Sequence, residues 1–204
     1  MYPLFKRLFD FASALLFLCV ISPLFLVIWL LVRINLGKPV FFIQRRSGLH
    51  QRPFSMIKFR TMTDECDEQG KLLPDEKRYT VFGHWLRSTS LDELPELISI
   101  IKGDMSVIGP RPLPIQYDVY YTDRERLRFN VRGGLISPEV LYNNVMPTWD
   151  EQLEYEAIYA EHLSLKDDIK VFLSVFKGLF KRYELDQGGT ARIGLDEERG
   201  NKLL

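Results

Sequence analysis

Two carboxylates stand side by side in Ser90-Leu91-Asp92-Glu93-Leu94-Pro95, a short distance after the cation of Arg87. A helix beginning at Ser90 would put both acids in its first turn, where free backbone N–H groups and the positive end of the helix dipole stabilise carboxylates and any phosphate brought against them. A metal ion can bind at such a place too. The same residues have a purely structural reading, because Ser90 followed by Glu93 is a capping box and Asp92 is a favoured first-turn residue. Four cations in the neighbouring sequence bear on the choice: Lys58, Arg60, Arg87 and Arg111. Arg111 sits in Gly109-Pro110-Arg111-Pro112, where two prolines present it rigidly, as suits a phosphate or carboxylate partner. Each of these cations taken singly also reads as an ordinary surface group.

Other chemistries find little support. There is no Gly-x-Gly-x-x-Gly turn, no Walker lysine loop and no metalloprotease helix. His50, His84 and His162 are scattered, and Cys19 and Cys66 give neither a disulfide framework nor a zinc spacing, which fits a reducing cytoplasmic side. The 204 residues suffice for one catalytic unit with a hydrophobic core. Their 27 basic and 27 acidic side chains cancel, so no global field draws the chain to nucleic acid. Attraction to phosphate or lipid must come from local clusters at Gln44-Arg45-Arg46, Lys58-Phe59-Arg60 and between Lys166 and Arg182.

The elements that must position these residues are readable from periodicity. Leu91, Leu94, Leu97, Ile98 and Ile101 follow helical spacing until Gly103. Residues 39–43 and 53–59 read as strands about a turn at Ser47-Gly48-Leu49-His50, and residues 64–77 as an exposed loop. Helices are expected over Asp118 to Phe129 and over Trp149 to His162, the second capped by Thr148 or Asp150. Hydrophobic side chains in the first of these suit either the core or a homodimer interface. Ile169, Leu173, Phe176, Leu179 and Phe180 form one stripe among Lys166, Lys170, Lys177, Lys181 and Arg182, the pattern of a helix packed on the core or lying on anionic headgroups.

From Phe11 to Val32 no residue is charged. As one straight helix this run would extend about 33 Å, close to the thickness of a bilayer's hydrocarbon core. Ser22-Pro23 lies at its centre, where proline favours a kink, and each half alone is too short to span. Lys6 and Arg7 precede the run while Arg33 and Lys38 follow it, so the positive-inside bias gives no vote for opposite sides. A hairpin entering and leaving by one face and a proline-kinked spanning helix both remain open from composition.

Six ordered stretches resemble the monotopic polyprenyl-phosphate phosphoglycosyl transferases, bacterial sugar transferases in their minimal form. They are Lys6-Arg7-Leu8-Phe9-Asp10, Ser22-Pro23, Gln44-Arg45-Arg46-Ser47-Gly48, Lys58-Phe59-Arg60-Thr61-Met62, Ser90 to Pro95 and Lys102 to Pro112. The resemblance implies a helix-dominated α+β fold with a re-entrant membrane hairpin broken at Ser22 and Pro23, a small β element and interfacial amphipathic helices. The expected divisions are 1–36 for the hairpin, 37–183 for a catalytic domain on the cytoplasmic face of the bacterial inner membrane, and 184–204 for a mobile tail.

The activity implied is transfer of a sugar 1-phosphate from a nucleotide sugar, expected to be a UDP-sugar, to undecaprenyl phosphate, which initiates bacterial glycan assembly. Asp92 would be the nucleophile and a ligand of Mg²⁺, Glu93 would manage the metal or a proton, and Arg111, Lys58, Arg60 and Arg87 would bind phosphate. Glu96 and Ser99 stand where glutamine and asparagine are common in that family, and residues 132–147 keep little of its usual pattern. A catalytically weak membrane scaffold or nucleotide-sugar-binding protein is the alternative that this divergence motivates.

Overall fold

In the computed structural model, which describes residues 2–142, 147–185 and 193–200, the charge-free run lies inside one helix, α1, Tyr2–Asn35. Helical structure continues through Pro23, and Ser22 Oγ donates to the Cys19 carbonyl at 2.8 Å, the kind of local side-chain bond that accompanies a proline. No interruption divides α1 at Ser22-Pro23, so the expected break into two helices is not seen; one lost backbone donor leaves the bonds on either side able to carry the helix through. Most of its apolar side chains are exposed, from Leu8 and Leu16 to Val20, Leu26 and Leu30. Among the described residues it is the one helix long and apolar enough to cross a membrane.

The chain divides into two compact units, and α1 contributes to both. One comprises residues 11–44 and 55–102. Its core joins Ile28, Val32 and Leu36 from the C-terminal part of α1 to Val40, Phe59 and Leu86, with Phe25, Phe41, Phe82, Leu91 and Leu94 packed around them. Strand β1 (Phe41–Ser47), which runs four residues beyond the expected 39–43, pairs with β2 (Pro53–Phe59), and Gly48 N–H, among residues 45–54 that count with the other unit, closes their turn on the Arg52 carbonyl at 3.0 Å. The loop that follows contains the short helix α2 (Asp75–Arg78) and an isolated antiparallel bridge between Cys66 and Leu72, after which come α3 (Val81–Ser88) and α4 (Glu96–Lys102).

The other unit comprises residues 1–10, 45–54 and 103–204. Strands β3 (Ser106–Ile108) and β4 (Gly134–Ile136) pair in parallel, with Ser106 opposite Gly134. Helix α5 (Trp149–Glu161) carries the expected Thr148 cap, in a full capping box with Glu151. The single helix expected from Asp118 to Phe129 is instead two 3₁₀ segments, Ile115–Tyr120 and Glu125–Asn130. Thr122 and Glu125 cap one another there, Thr122 N–H on the Glu125 carboxylate at 2.8 Å and Glu125 N–H on Thr122 Oγ1 at 3.3 Å, which restarts the chain. Tyr121 and Phe129 are core residues, packed with Leu113, Trp149 and Leu153.

Part of the expected mobile tail is folded. Residues Leu195–Gly200 form α7, Leu195 completes the same core, and Arg199 binds Glu125 at 2.6 Å and Asp150 at 2.6 Å. One large apolar side chain and one well-placed cation suffice to tie down so short a segment. Residues 186–192 and 201–204 of that tail lie outside the described residues.

Helix α6 (Leu165–Leu185) packs through Val171 and Asp168, whereas Leu165, Ile169, Phe172 and Leu173 are about half exposed. Phe176, Leu179 and Phe180 of its expected stripe lie outside the residues whose side chains are described. The N-terminal end of α1 is held within this unit by buried acids. Asp10 accepts from Ser106 Oγ at 2.6 Å and Val107 N–H at 3.1 Å. Asp168 accepts from Lys6 at 2.7 Å, Tyr159 at 2.5 Å and the Tyr2 hydroxyl.

Candidate active site

The Asp92-Glu93 pair is presented by a 3₁₀ turn, Leu91–Glu93, ahead of α4, and the capping expected at Ser90 does not form. Ser90 has φ 56°, a left-handed conformation that ends the preceding α3 segment with its N–H on the Arg87 carbonyl at 3.0 Å. An N-cap needs extended geometry, so Ser90 cannot also cap α4. Leu91 and Leu94 insert into the core formed by Ile28, Val32 and Phe59, which leaves the intervening carboxylates fixed between two hydrophobic pegs.

Lys58 on β2 faces this turn. Its Nζ lies 2.7 Å from Glu93 and 3.1 Å from Glu96, and Glu96 is almost completely buried. Asp92 is buried as well. Burial pushes its carboxyl up to about 6 and Glu93 adds to the rise, while Lys58 and Arg87 oppose it. The structure thus gathers Lys58, Glu93 and Glu96 in one ion-paired cluster and couples Asp92 to it electrostatically. Arg87 is held by the Tyr79 hydroxyl and lies over the Tyr79 ring at 5.5 Å from its centroid.

Arg60 is different. Its guanidinium donates to the carbonyls of Met62 at 2.8 Å and Lys38 at 2.9 Å, and pairs with Asp64 at 3.2 Å. Those bonds tie the segment leaving α1 to the end of β2, so this geometry gives Arg60 a structural task. Arg111 belongs to the other compact unit, where its main chain is bonded on both sides and its side chain is exposed.

Sequence reasoning passed over two participants. Glu96 was visible only as a departure from a family pattern, although its spacing from Asp92 and Glu93 is one helical turn. Tyr79 had no signal at all, since its link to Arg87 depends on how α3 follows the loop. The divergent stretch 132–147 is described apart from residues 143–146, and Gly133 and Gly134 there fit closely against the Gly109-Pro110-Arg111-Pro112 turn. A Cβ on Gly134 would come within 2.0 Å of Gly109 N, and one on Gly133 within 2.6 Å of the Pro112 ring.

Among the described residues no three His, Cys, Asp or Glu side chains gather as a ready-made metal centre. Asp92 and Glu93 nevertheless offer hard oxygen donors, and Mg²⁺ typically takes only one or two carboxylates, completing its shell with water and phosphate oxygens. A buried carboxylate raised to about 6 is one that a cation would stabilise in its charged form. The residues present fit such an ion.

The family model for bacterial sugar transferases matches residues 1–182. The chain belongs to the bacterial sugar transferase family. It is accordingly a transferase, and α1 is its membrane-associating element. A Bacillus subtilis (strain 168) protein, "Uncharacterized sugar transferase EpsL", is 42% identical over 166 residues, covering 81% of this chain and 82% of its own. The "UDP-glucose:undecaprenyl-phosphate glucose-1-phosphate transferase" of Klebsiella pneumoniae is 34% identical over 189 residues, covering 87% of this chain and 41% of its own. The transferase therefore spans about two-fifths of that relative's length. "Exopolysaccharide production protein ExoY" of Sinorhizobium fredii (strain NBRC 101917 / NGR234) is 32% identical over 189 residues, covering 84% of this chain and 82% of its own.

Proposed function

We propose that the transferase moves a sugar 1-phosphate from a UDP-sugar to undecaprenyl phosphate at the cytoplasmic face of a bacterial inner membrane, the first step of glycan assembly. The observation that carries this reading is the buried Asp92 carboxylate, electrostatically coupled to Lys58, Glu93 and Arg87 within a family whose named relatives act on UDP-glucose and undecaprenyl phosphate.

In the first step an Asp92 oxygen attacks the phosphorus that carries the sugar. The bond from that phosphorus to the bridging oxygen breaks, UMP leaves with the electron pair, and an aspartyl phosphosugar remains. In the second step an oxygen of the prenyl phosphate attacks the same phosphorus and expels the Asp92 carboxylate. The products are UMP and a prenyl diphosphate sugar. Asp92 and Glu93 would hold Mg²⁺, whose contribution is to neutralise diphosphate charge. Lys58 keeps Glu93 and Glu96 neutralised, and its charge together with that of Arg87 favours ionised Asp92. Arg87 and Arg111 are the cations assigned to phosphate.

A re-entrant α1 belongs to the same reading. Its N-terminal end is bonded to Ser106, Val107 and Asp168, and its C-terminal end is packed on Phe59 and Leu86. The chain returns from Asn35 to Ser106 without a second apolar segment of membrane-crossing length. In this reading both ends of α1 lie on one face of the bilayer, with Pro23 as the natural bend. The half-exposed Leu165, Ile169, Phe172 and Leu173 on α6, accompanied by Lys166 and Lys170, support contact of that helix with the headgroup layer.

The test is release of UMP from a panel of UDP-sugars by purified protein in detergent with Mg²⁺, with and without undecaprenyl phosphate, beside Asp92→Asn. Lipid-dependent release lost in the variant supports the reading. Unchanged release by Asp92→Asn would remove the proposed nucleophile, and binding of a UDP-sugar without release would favour the scaffold.

A further inference from the structure

Arg128 and Glu156 form an ion pair with almost no exposure, 2% and 0% for their side chains, in the interior of the unit that carries Arg111. Arg128 Nε donates to Glu156 Oε2 at 2.7 Å. Its remaining donors go to the Tyr121 hydroxyl at 3.1 Å and to the Arg111 carbonyl at 2.5 Å. Glu156 Oε1 in turn accepts the Arg111 N–H at 3.0 Å and Gln152 Nε2 at 3.2 Å. The pair therefore grips a single residue by both its main-chain groups.

The neighbours of Arg111 are gripped too. Gly134 N–H donates to the Pro110 carbonyl at 2.9 Å, and Arg46 donates to the Pro112 carbonyl at 3.3 Å. Prolines have no N–H, so every main-chain polar group of residues 110–112 is bonded. Two fixed proline φ angles remove most of the freedom that remains. The side chain that emerges from this braced tripeptide is the exposed Arg111 guanidinium.

Stability alone gives little reason for such a pair. Removing two charges from water costs about as much as their attraction returns, and apolar residues of similar volume often serve as well or better. What an apolar pair could not do is bond the N–H and the carbonyl of Arg111. We infer that Glu156 and Arg128 are positioning residues for Arg111, holding its guanidinium at the place where the transferase receives a phosphate group of its substrates. This rests on the reading of Arg111 as a phosphate-binding residue.

The experiment is a double-mutant cycle in the full chain. Arg128→Met combined with Glu156→Leu removes the pair without stranding a charge, and Arg111→Ala removes the group it is said to position. Both, and their combination, are assayed for kcat/KM of UMP release over the UDP-sugar panel, for Kd of UDP as a diphosphate probe, and for Tm. Displacement of a phosphate-binding group by an ångström is expected to cost about ten- to hundredfold. The pair replacement should therefore weaken kcat/KM and UDP binding by that factor when Arg111 is present, and by less than about twofold when it is alanine.

Equal losses in both backgrounds, or a folded pair variant with unchanged kinetics, would overturn the inference while leaving Arg111 its role. Unchanged activity and UDP binding in Arg111→Ala alone would instead overturn that role, and the inference with it. Arg128→Lys, which keeps the charge but cannot reach Glu156, Tyr121 and the Arg111 carbonyl together, repeats the cycle should the apolar pair fail to fold. Failure of both variants to fold would assign the pair to the core and likewise overturn the inference.

Discussion

Lys58 Nζ lies 2.7 Å from Glu93 and 3.1 Å from Glu96, so one ammonium serves two carboxylates beside the proposed nucleophile. Replacing it by methionine leaves Glu96 buried without this cation, a change that costs about 2–3 kcal/mol and lowers Tm by roughly 5–10 °C. Lys58→Arg, which keeps the charge, should retain most of the stability. Thermal melts of the two variants in detergent distinguish them, and equal Tm values for Lys58→Met and the parent would show that the ion pairs are inert.

The Asp92 carboxyl, pushed up to about 6 by burial, would have to be ionised to act as the proposed nucleophile. At Mg²⁺ well below saturation the acid limb of kcat/KM for the donor should therefore fall with an apparent pKa near 6 rather than near 4, and added Mg²⁺ should move it to lower pH. Lys58→Met removes a charge that favours ionised Asp92, so the limb moves to higher pH in whatever activity remains. A limb near 4 in the parent enzyme would show that Asp92 is well solvated.

The same shift has a consequence for stability. Asp92 ionises near 3.9 when unfolded and near 6 when folded, so between those values the native state holds the extra proton and stability falls as pH rises. Above pH 6 the full penalty applies. Asp92→Asn should then be more stable than the parent at pH 7.5 by about 1–2 kcal/mol, after allowance for solvent screening, while losing activity by at least about a thousandfold. Denaturation at pH 7.5 and pH 4 provides the measurement: the advantage should vanish at the lower pH.

Asp10 is tied to Ser106 and Val107 by two hydrogen bonds and lies 4.0 Å from Lys6. Asp10→Ala leaves the part-buried Val107 N–H without this acceptor, whereas Ser106 Oγ still has the Ile108 carbonyl at 2.9 Å, and a loss of about 1–3 kcal/mol is expected. Melting of the variant beside Ser106→Ala, which removes only one bond and should cost about 1 kcal/mol, checks the assignment.

Topology is open to direct labelling. With Cys19 and Cys66 replaced by serine, cysteines at Leu4 and Lys38, both exposed, should react with an impermeant maleimide only from the cytoplasmic face. Reaction of the two positions from opposite faces would make α1 a spanning helix.

Much of this was legible in the residues themselves. Val40, Phe41, Phe54, Met56 and Phe59 carry a strand pattern that the hairpin obeys, and Thr148 with Glu151 announces α5 because capping is a local affair. The charge-free run announces α1 by length alone. What escaped was decided at a distance. Ser90 and Glu93 satisfy the rule for a capping box, yet the end of α3 claims Ser90 for a left-handed turn. Leu195 looked like a stray apolar residue in a polar tail until Trp149 and Leu153 enclosed it. The grip of Arg128 and Glu156 on Arg111 joins residues 111, 128 and 156, and no local pattern records it.

An apolar helix fastened at Asp10 by hydrogen bonds and at Ile28 and Val32 by packing is no leash. A leash would let the folded part drift above the lipid; in the re-entrant reading proposed above, the packed segment would make the bilayer itself part of the enzyme's frame. In that reading, packing of Ile28 and Val32 in the same unit as Asp92 would fix the height of that carboxylate over the headgroups. Lipids whose phosphate rides at another level would be refused on height, before any contact with their chains or sugars is tried.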